Sequence, residues 1–321
     1  MLSPAIQELK RRSPSTKIYV VDSDRNMNYF FKAERNLNGY SILPDYSAFK
    51  NNFNYNDEII LTNFFGFILT TGCKQHWGNL ALKLFNVDKR NLKPKIYLSQ
   101  NDEKFGRSYA KLLKNKMVVL CNDTSEMHKR WDVKRWEEVI KKCKGYAFVQ
   151  VGPRSGRPIR GALNMLGRTT LAQAFSLVKY SKLVVAVDGL FNHVAHAFGI
   201  PKVILWSNSS PRNFGYNDNT INISKKIYCS PCRYLAKSPT RKCIIQCYVN
   251  KKVPQCMLAI KQLEVINAIK KMLNEKHDPN IKYYKFRPAD KETCLDCRHN
   301  KICNIDWFKI RFSLLFNWQL I

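Results

Sequence analysis

The chain has 321 residues, 45% of them hydrophobic, enough to bury the cores of two ordinary domains and too many for a disordered protein. Its 54 Lys and Arg against 24 Asp and Glu give a net charge of +30, a field that favours anionic partners (phosphorylated sugars and glycans, an anionic membrane surface, or nucleic acid); because the lysines are scattered and not gathered in one block, the alternative is a Lys/Asn-rich drift of composition with no partner behind it. No run of 18 apolar residues and no apolar export signal after Met1 are present, so the composition excludes a membrane-spanning helix and predicts a cytoplasmic protein.

In chain order, the patterning predicts a helix over 5–12 and a strand over 17–21 (Lys-Ile-Tyr-Val-Val). Strands follow over 58–62, 95–98 and 117–120, with helices over 76–85 and 104–113 between them. A break near residues 114 and 115 divides this half from a more regular one. Helix 133–142, strand 147–151, helix 170–180, strand 183–187, helix 192–198 and strand 202–206 then alternate. Such alternation implies a parallel, doubly wound α/β sheet. Past Trp206 it stops: a cysteine-rich loop precedes a helix over 258–273, and residues 275–321 form a tail. The expected domains are therefore 1–114, 115–274 with the cysteine-rich loop 229–256, and a cysteine-containing aromatic tail over 275–321.

The densest chemistry lies in 184–206. An apolar strand breaks at Asp188-Gly189, a small-residue helix carries His193, and Gly199-Ile200-Pro201 leads into the next strand. Ligands of open α/β sheets bind at the carboxyl ends of strands, and free N–H groups at a helix start receive phosphate. Asp188 is thus placed to accept from sugar hydroxyls, Gly189 to leave backbone N–H groups open, and His193 to donate to the same phosphate or to serve as an interior histidine. The turn after Leu120 reads Cys121-Asn122-Asp123-Thr124-Ser125 and is followed by Lys129-Arg130-Trp131 and Trp136. Its hydroxyls, amides and cations suit a diphosphate; the alternative is a solvated basic helix start over two inward tryptophans. Gly152, at the end of the next strand, permits close approach of a nucleotide. After Leu166-Gly167-Arg168, Thr169 is the expected helix cap.

The 11 cysteines point to thiols or a metal and not to a disulfide framework. Cys229, Cys232, Cys243, Cys247 and Cys256 crowd one loop, and Cys229-x2-Cys232 with a distant pair can complete a tetrahedron of soft ligands. The favoured set is Cys229, Cys232, Cys247 and Cys256, with Cys243 as substitute. Cys294, Cys297 and Cys303, near His299, make a candidate second site, whereas Cys73, Cys121 and Cys143 read as structural. The apolar and basic stretch 307–318 is suited to a peripheral membrane contact, with packing against the first domain or a second subunit as the preferred alternative.

The pattern Lys129-Arg130-Trp131, Val151-Gly152, Leu166-Gly167, Asp188-Gly189, His193, Ala197, Gly199 and Pro201 resembles glycosyltransferase family 9, the bacterial heptosyltransferases. Pro211, Gly215-Tyr216, Cys229-Ser-Pro-Cys232, Cys256-Met257 and Ile260 extend the likeness, which covers roughly 1–273 and is strongest over 117–260. The resemblance implies the GT-B fold: two Rossmann-like domains facing a cleft, moving a sugar, typically heptose from its ADP donor, with inversion. It implies that Lys129 meets donor phosphate or sugar, Asp188 the sugar hydroxyls, Gly189 and Leu190 the diphosphate through their amides, and that His193 supports it. Thr124, Ser125, Arg130, Gly152 and Gly167 complete the expected donor pocket. The family often has Gly where this chain has Leu190. In the family a first strand and a Gly-Asp turn supply the base that deprotonates the acceptor; the chain begins just after that point, so the first domain is expected to lack its usual first strand. Asp22 and Asp24 stand as candidate bases, or as turn residues. Certain related heptosyltransferases carry a four-cysteine iron site, so iron rivals zinc here. The expected activity is inverting transfer from a nucleotide-diphosphate sugar to a glycan, lipid-linked or protein acceptor. The alternatives are a catalytically impaired binding protein for nucleotide sugar or nucleic acid, and a glycosyltransferase acting on nucleic acid.

Overall fold

The computed structural model describes residues 3–22, 36–42, 93–124, 129–225, 227 and 254–283. The chain divides into two compact units, Met1–Leu92 with Pro288–Ile321, and Lys93–Arg287. In the first unit, helix α1 (Ser3–Arg12) precedes the parallel strands β1 (Tyr19–Asp22) and β2 (Gly39–Ile42), which pair from Tyr19 beside Gly39 to Asp22 beside Ile42. Asn38 ties them together: its Oδ1 accepts from the Ile18 N–H at 2.9 Å and from Lys10 Nζ at 3.2 Å.

The second unit opens with helix α2 (Gln100–Leu112), then strand β3 (Met117–Cys121), helix α3 (Val133–Lys142) and strands β4 (Ala147–Gln150) and β5 (Leu163–Asn164). Helix α4 (Leu171–Lys179), strand β6 (Leu183–Val187), helix α5 (Leu190–Phe198) and strand β7 (Lys202–Trp206) follow. The short helix α6 (Pro211–Phe214), strand β8 (Thr220–Ser224) and helices α7 (Gln255–Leu258) and α8 (Gln262–Met272) complete it.

The six strands form one parallel sheet in the order β5-β4-β3-β6-β7-β8. The chain winds outward from β3, returns to lay β6 beside β3, and winds outward again, which puts the topological switch point between β3 and β6. All residues of β3, β6 and β7 are buried, as uninterrupted apolar runs in a doubly covered parallel sheet require. Val118, Leu120, Leu183, Val185, Val203 and Leu205 pack with Trp136 and Val139 of α3 and Val265 and Ile269 of α8. The intervening residues take the opposite face, where α2 packs on α4, α4 on α5, and α5 on β6 and β7.

Several elements differ from the sequence expectation for local reasons. Residues 93–99 form no strand: Pro94 offers no N–H, and Ser99 caps α2 by accepting from the Asp102 N–H, so the helix starts at Gln100 rather than 104. Thr170, not Thr169, caps α4, in a reciprocal capping box with Gln173. The expected helix 258–273 starts only at Gln262, and Leu258 instead ends the short α7, because Arg135 Nη1 takes the carbonyls of Leu258 (2.8 Å) and Ile260 (2.6 Å), and Trp131 Nε1 also donates to Ile260 (3.3 Å). Strands β2, β5 and β8 add pairing that the sequence reading lacked. Helix α2, placed by sequence before a boundary at 114 and 115, packs within the second unit, where the Gly106 N–H donates to Ser176 Oγ of α4 at 3.1 Å. The strand expected over 58–62, the helix over 76–85, nearly all of the cysteine-rich loop and most of the tail lie outside the described residues. Among the described residues, no helix is long and apolar enough to cross a membrane.

Candidate functional site

The loops leaving β3, β4, β6 and β7 meet at the carboxyl ends of the sheet. Asp188, the first residue after β6, is buried, and its Oδ2 lies 3.1 Å from the Nζ of Lys129, itself buried on the segment after β3. Ser209 Oγ, from the loop after β7, donates to the same carboxylate oxygen. One carboxylate thus joins elements on both sides of the switch point. Such a pair persists in a low-dielectric setting only because charge and hydrogen bonds are both supplied.

The loop after β3 is held by its own polar network. Gln150 Nε2 donates to Asn122 Oδ1 at 2.7 Å and to the Arg157 carbonyl at 2.8 Å, while Gln150 Oε1 accepts from the Ile159 N–H at 3.0 Å. Arg130 Nε stands 3.3 Å from Asp123 Oδ1, and Arg130 Nη2 donates to the Thr124 carbonyl at 3.4 Å. The Gly152 carbonyl accepts from the Gly167 N–H at 2.9 Å, linking the loops after β4 and β5. Gly167 is required by the turn: its φ is +65°, and a Cβ there would fall 2.6 Å from the Cβ of Arg154.

Gly189 is the N-cap of helix α5 and has no side chain to cap it; the Asn192 N–H turns back to the Gly189 carbonyl at 3.2 Å, and the first turn of the helix stands beside Asp188. Leu190, its first residue, is 40% exposed. His193 comes one turn in, with Nδ1 2.9 Å from Tyr216 Oη. His196 is an interior histidine: it stacks on Tyr216 at 3.5 Å between ring centroids and 9° between planes, with Nδ1 3.5 Å from Asp218. Burial raises the Tyr216 phenol above its ordinary range, and the Asp218 carboxylate adds to this. Lys202 Nζ sits 5.3 Å from the Tyr216 ring centroid, and burial lowers its ammonium to about 8 against the opposing pull of Asp218.

The structure therefore brings Lys129 and Asp188 into contact and gathers Thr124 and Arg130 in one loop, with Gly152 and Gly167 in another pair of joined loops. Asp22 ends β1 in the other unit. Ser125, Asp24, Cys229, Cys232, Cys243, Cys247, Cys294, Cys297 and Cys303 lie outside the described residues. Cys256 is buried on α7 within the core that joins α8 to the sheet. Among the described residues, no group of three or more His, Cys, Asp or Glu could hold a metal ion. Sequence reasoning missed Ser209, Gln150 and the hydrogen bond of Tyr216. The signal for Ser209 was present: Ser207-Asn208-Ser209 is a polar run directly after a wholly apolar strand.

A buried cation beside a helix N-terminus favours phosphate, and a carboxylate between them accepts from hydroxyl groups. The family model for glycosyltransferase family 9 (heptosyltransferase) matches residues 75–242. No curated protein matches the chain. Among solved structures, a family 9 glycosyltransferase from Veillonella parvula is 14% identical with a TM-score of 0.63, covering 85% of this chain and 93% of that one. The ADP-heptose LPS heptosyltransferase II of E. coli is 16% identical with a TM-score of 0.57, covering 85% and 94%. The iron-containing dodecameric glycosyltransferase TibC of enterotoxigenic E. coli is 15% identical with a TM-score of 0.58, covering 84% and 71%. These likenesses show the GT-B fold anticipated from the motifs. With more than half of its length matched by the family model, the chain belongs to glycosyltransferase family 9 and is a nucleotide-sugar glycosyltransferase.

Proposed function

We propose that the enzyme takes a heptose-like sugar from a nucleotide-diphosphate donor and passes it, with inversion, to a hydroxyl of a glycan, lipid-linked or protein acceptor. The observation that carries this reading is the buried Lys129–Asp188 pair at the switch point, beside the uncapped start of α5. Asp188 holds the hydroxyls of the sugar. Lys129, His193 and the amides of Gly189 and Leu190 face the diphosphate, with Thr124, Ser125, Arg130, Gly152 and Gly167 shaping the rest of the pocket. As the acceptor oxygen attacks the anomeric carbon, negative charge grows on the departing diphosphate, and fixed cations and amide dipoles lower the barrier most where charge develops. The acceptor proton goes to a general base, for which Asp22 and Asp24 are the candidates.

A four-cysteine zinc or iron site (Cys229, Cys232, Cys247 and Cys256, with Cys243 as substitute) is proposed as structural; Cys256 in the core would anchor the loop to the sheet. A neighbour of the same fold is iron-containing.

TibC has been crystallised with ADP-D-β-D-heptose, so that donor leads a panel of nucleotide sugars to be offered to the purified enzyme. Transfer or donor hydrolysis, with the opposite anomeric configuration in the product by NMR, is expected. Retention of configuration would overturn inversion, and turnover of no nucleotide sugar would overturn the donor reading.

A further inference from the structure

We propose that Tyr216 is a positioning residue for His193: its hydroxyl fixes the imidazole as the tautomer protonated on Nε2, the form that donates to the donor diphosphate. This deepens the donor-site reading and rests on it.

The contact is Tyr216 Oη to His193 Nδ1 at 2.9 Å. Of the two partners, the phenol is the stronger acid and the imidazole nitrogen the stronger base, so the O–H donates and Nδ1 accepts. A neutral imidazole that accepts on one nitrogen carries its proton on the other. Burial keeps the phenol protonated and therefore able to donate.

The tyrosine is held from several directions. His196 stacks on its ring at 3.5 Å and 9°. Its backbone carbonyl accepts from Asn222 Nδ2 at 2.8 Å, and Asn222 Oδ1 in turn accepts from the buried Trp206 Nε1 at 2.8 Å. The segment from α6 is also pinned to α5 one residue before His193, where Asn192 Nδ2 donates to the Phe214 carbonyl at 2.9 Å. Two consecutive side chains of α5 thus grip the chain that carries Tyr216. A ring this constrained sets both the angle and the tautomer of His193, one turn into α5.

The test is side-chain ¹⁵N NMR of His193 in the full chain, without donor, in wild type and Tyr216→Phe, followed by kinetics with ADP-heptose. Wild type should show the Nε2–H tautomer. In Tyr216→Phe the ring stack on His196 is retained, the tautomers should mix, and kcat should fall about tenfold, the equivalent of one hydrogen bond, with donor KM within about twofold. An Nδ1–H tautomer in wild type overturns the inference without recourse to any variant. So does a Tyr216→Phe enzyme with unchanged tautomer and unchanged kcat. A tautomer that shifts in Tyr216→Phe while His193→Ala transfers at the full rate supports the hydrogen bond and overturns the donor role of His193.

Discussion

Lys129 Nζ lies 3.1 Å from the Asp188 carboxylate, each residue buried and each contributed by a different side of the β3–β6 seam. Removing one member leaves an uncompensated buried charge, which costs about 3–5 kcal/mol. Lys129→Met should therefore lower the urea midpoint strongly, and adding Asp188→Asn should recover much of the loss, since the amide still meets Ser209. A double-mutant cycle by urea unfolding measures this. Additivity within about 0.5 kcal/mol would show that the two charges do not depend on each other.

Gly106→Ala tests the docking of α2 on the second unit. The added Cβ would fall 2.2 Å from Ser176 Oγ and 2.4 Å from the Ser176 carbonyl oxygen, so the helices must separate. Overpacking of this kind costs about 1–3 kcal/mol. Thermal unfolding should show the loss while donor KM stays at the wild-type value; an unchanged Tm would contradict the packing of α2 on α4.

Lys202 makes stability depend on pH with a definite sign. Burial lowers its ammonium from 10.5 to about 8, so between those values the unfolded chain binds more protons and stability rises with pH. The penalty is fully present below about pH 8 and amounts to about 3 kcal/mol. Cys143, raised by burial to about 11, acts in the opposite sense above pH 9, so the comparison should be with Lys202→Met, where other groups cancel. The variant should exceed wild type in stability at pH 7.5, and the gap should close toward pH 10.5. A gap independent of pH would show that Lys202 is not a desolvated ammonium.

The cysteine-rich loop makes a compositional prediction. Purified enzyme should contain about one equivalent of zinc plus iron, because four thiolates complete one tetrahedral site. Cys229→Ser with Cys232→Ser should remove it and lower Tm. Elemental analysis finding less than about half an equivalent in wild type would refute the four-cysteine site.

The second unit was far more legible in sequence than its fine structure. Strands 183–187 and 202–206 and helix 133–142 coincide with β6, β7 and α3, because unbroken apolar runs and helical periodicity are local signals. Strand β8 carries only a weak local signal, because Thr-Ile-Asn-Ile-Ser is short and rich in polar residues; pairing with β7 makes it a strand. The split between α7 and α8 depends on Arg135 and Trp131 reaching across more than a hundred residues of sequence, which no local pattern records. The strand-turn-helix punctuation around Asp188, Gly189 and His193 is local and readable, and β6, the Gly189 cap and α5 follow it. The Lys129–Asp188 contact is not, since it depends on β6 returning to lie beside β3. Tyr216 entered only as part of a family pattern; its hydrogen bond to His193 is a product of tertiary packing.

The most direct measurement is sugar transfer from ADP-heptose, or whichever nucleotide sugar of the panel is turned over, by wild type, Asp188→Ala and His193→Ala. A donor bound against Asp188 predicts that kcat/KM falls by at least about a hundredfold in Asp188→Ala, the scale of losing a buried charged contact. It predicts about tenfold or more in His193→Ala, with both variants folded by circular dichroism. Transfer left at the wild-type rate by both substitutions would contradict the donor site.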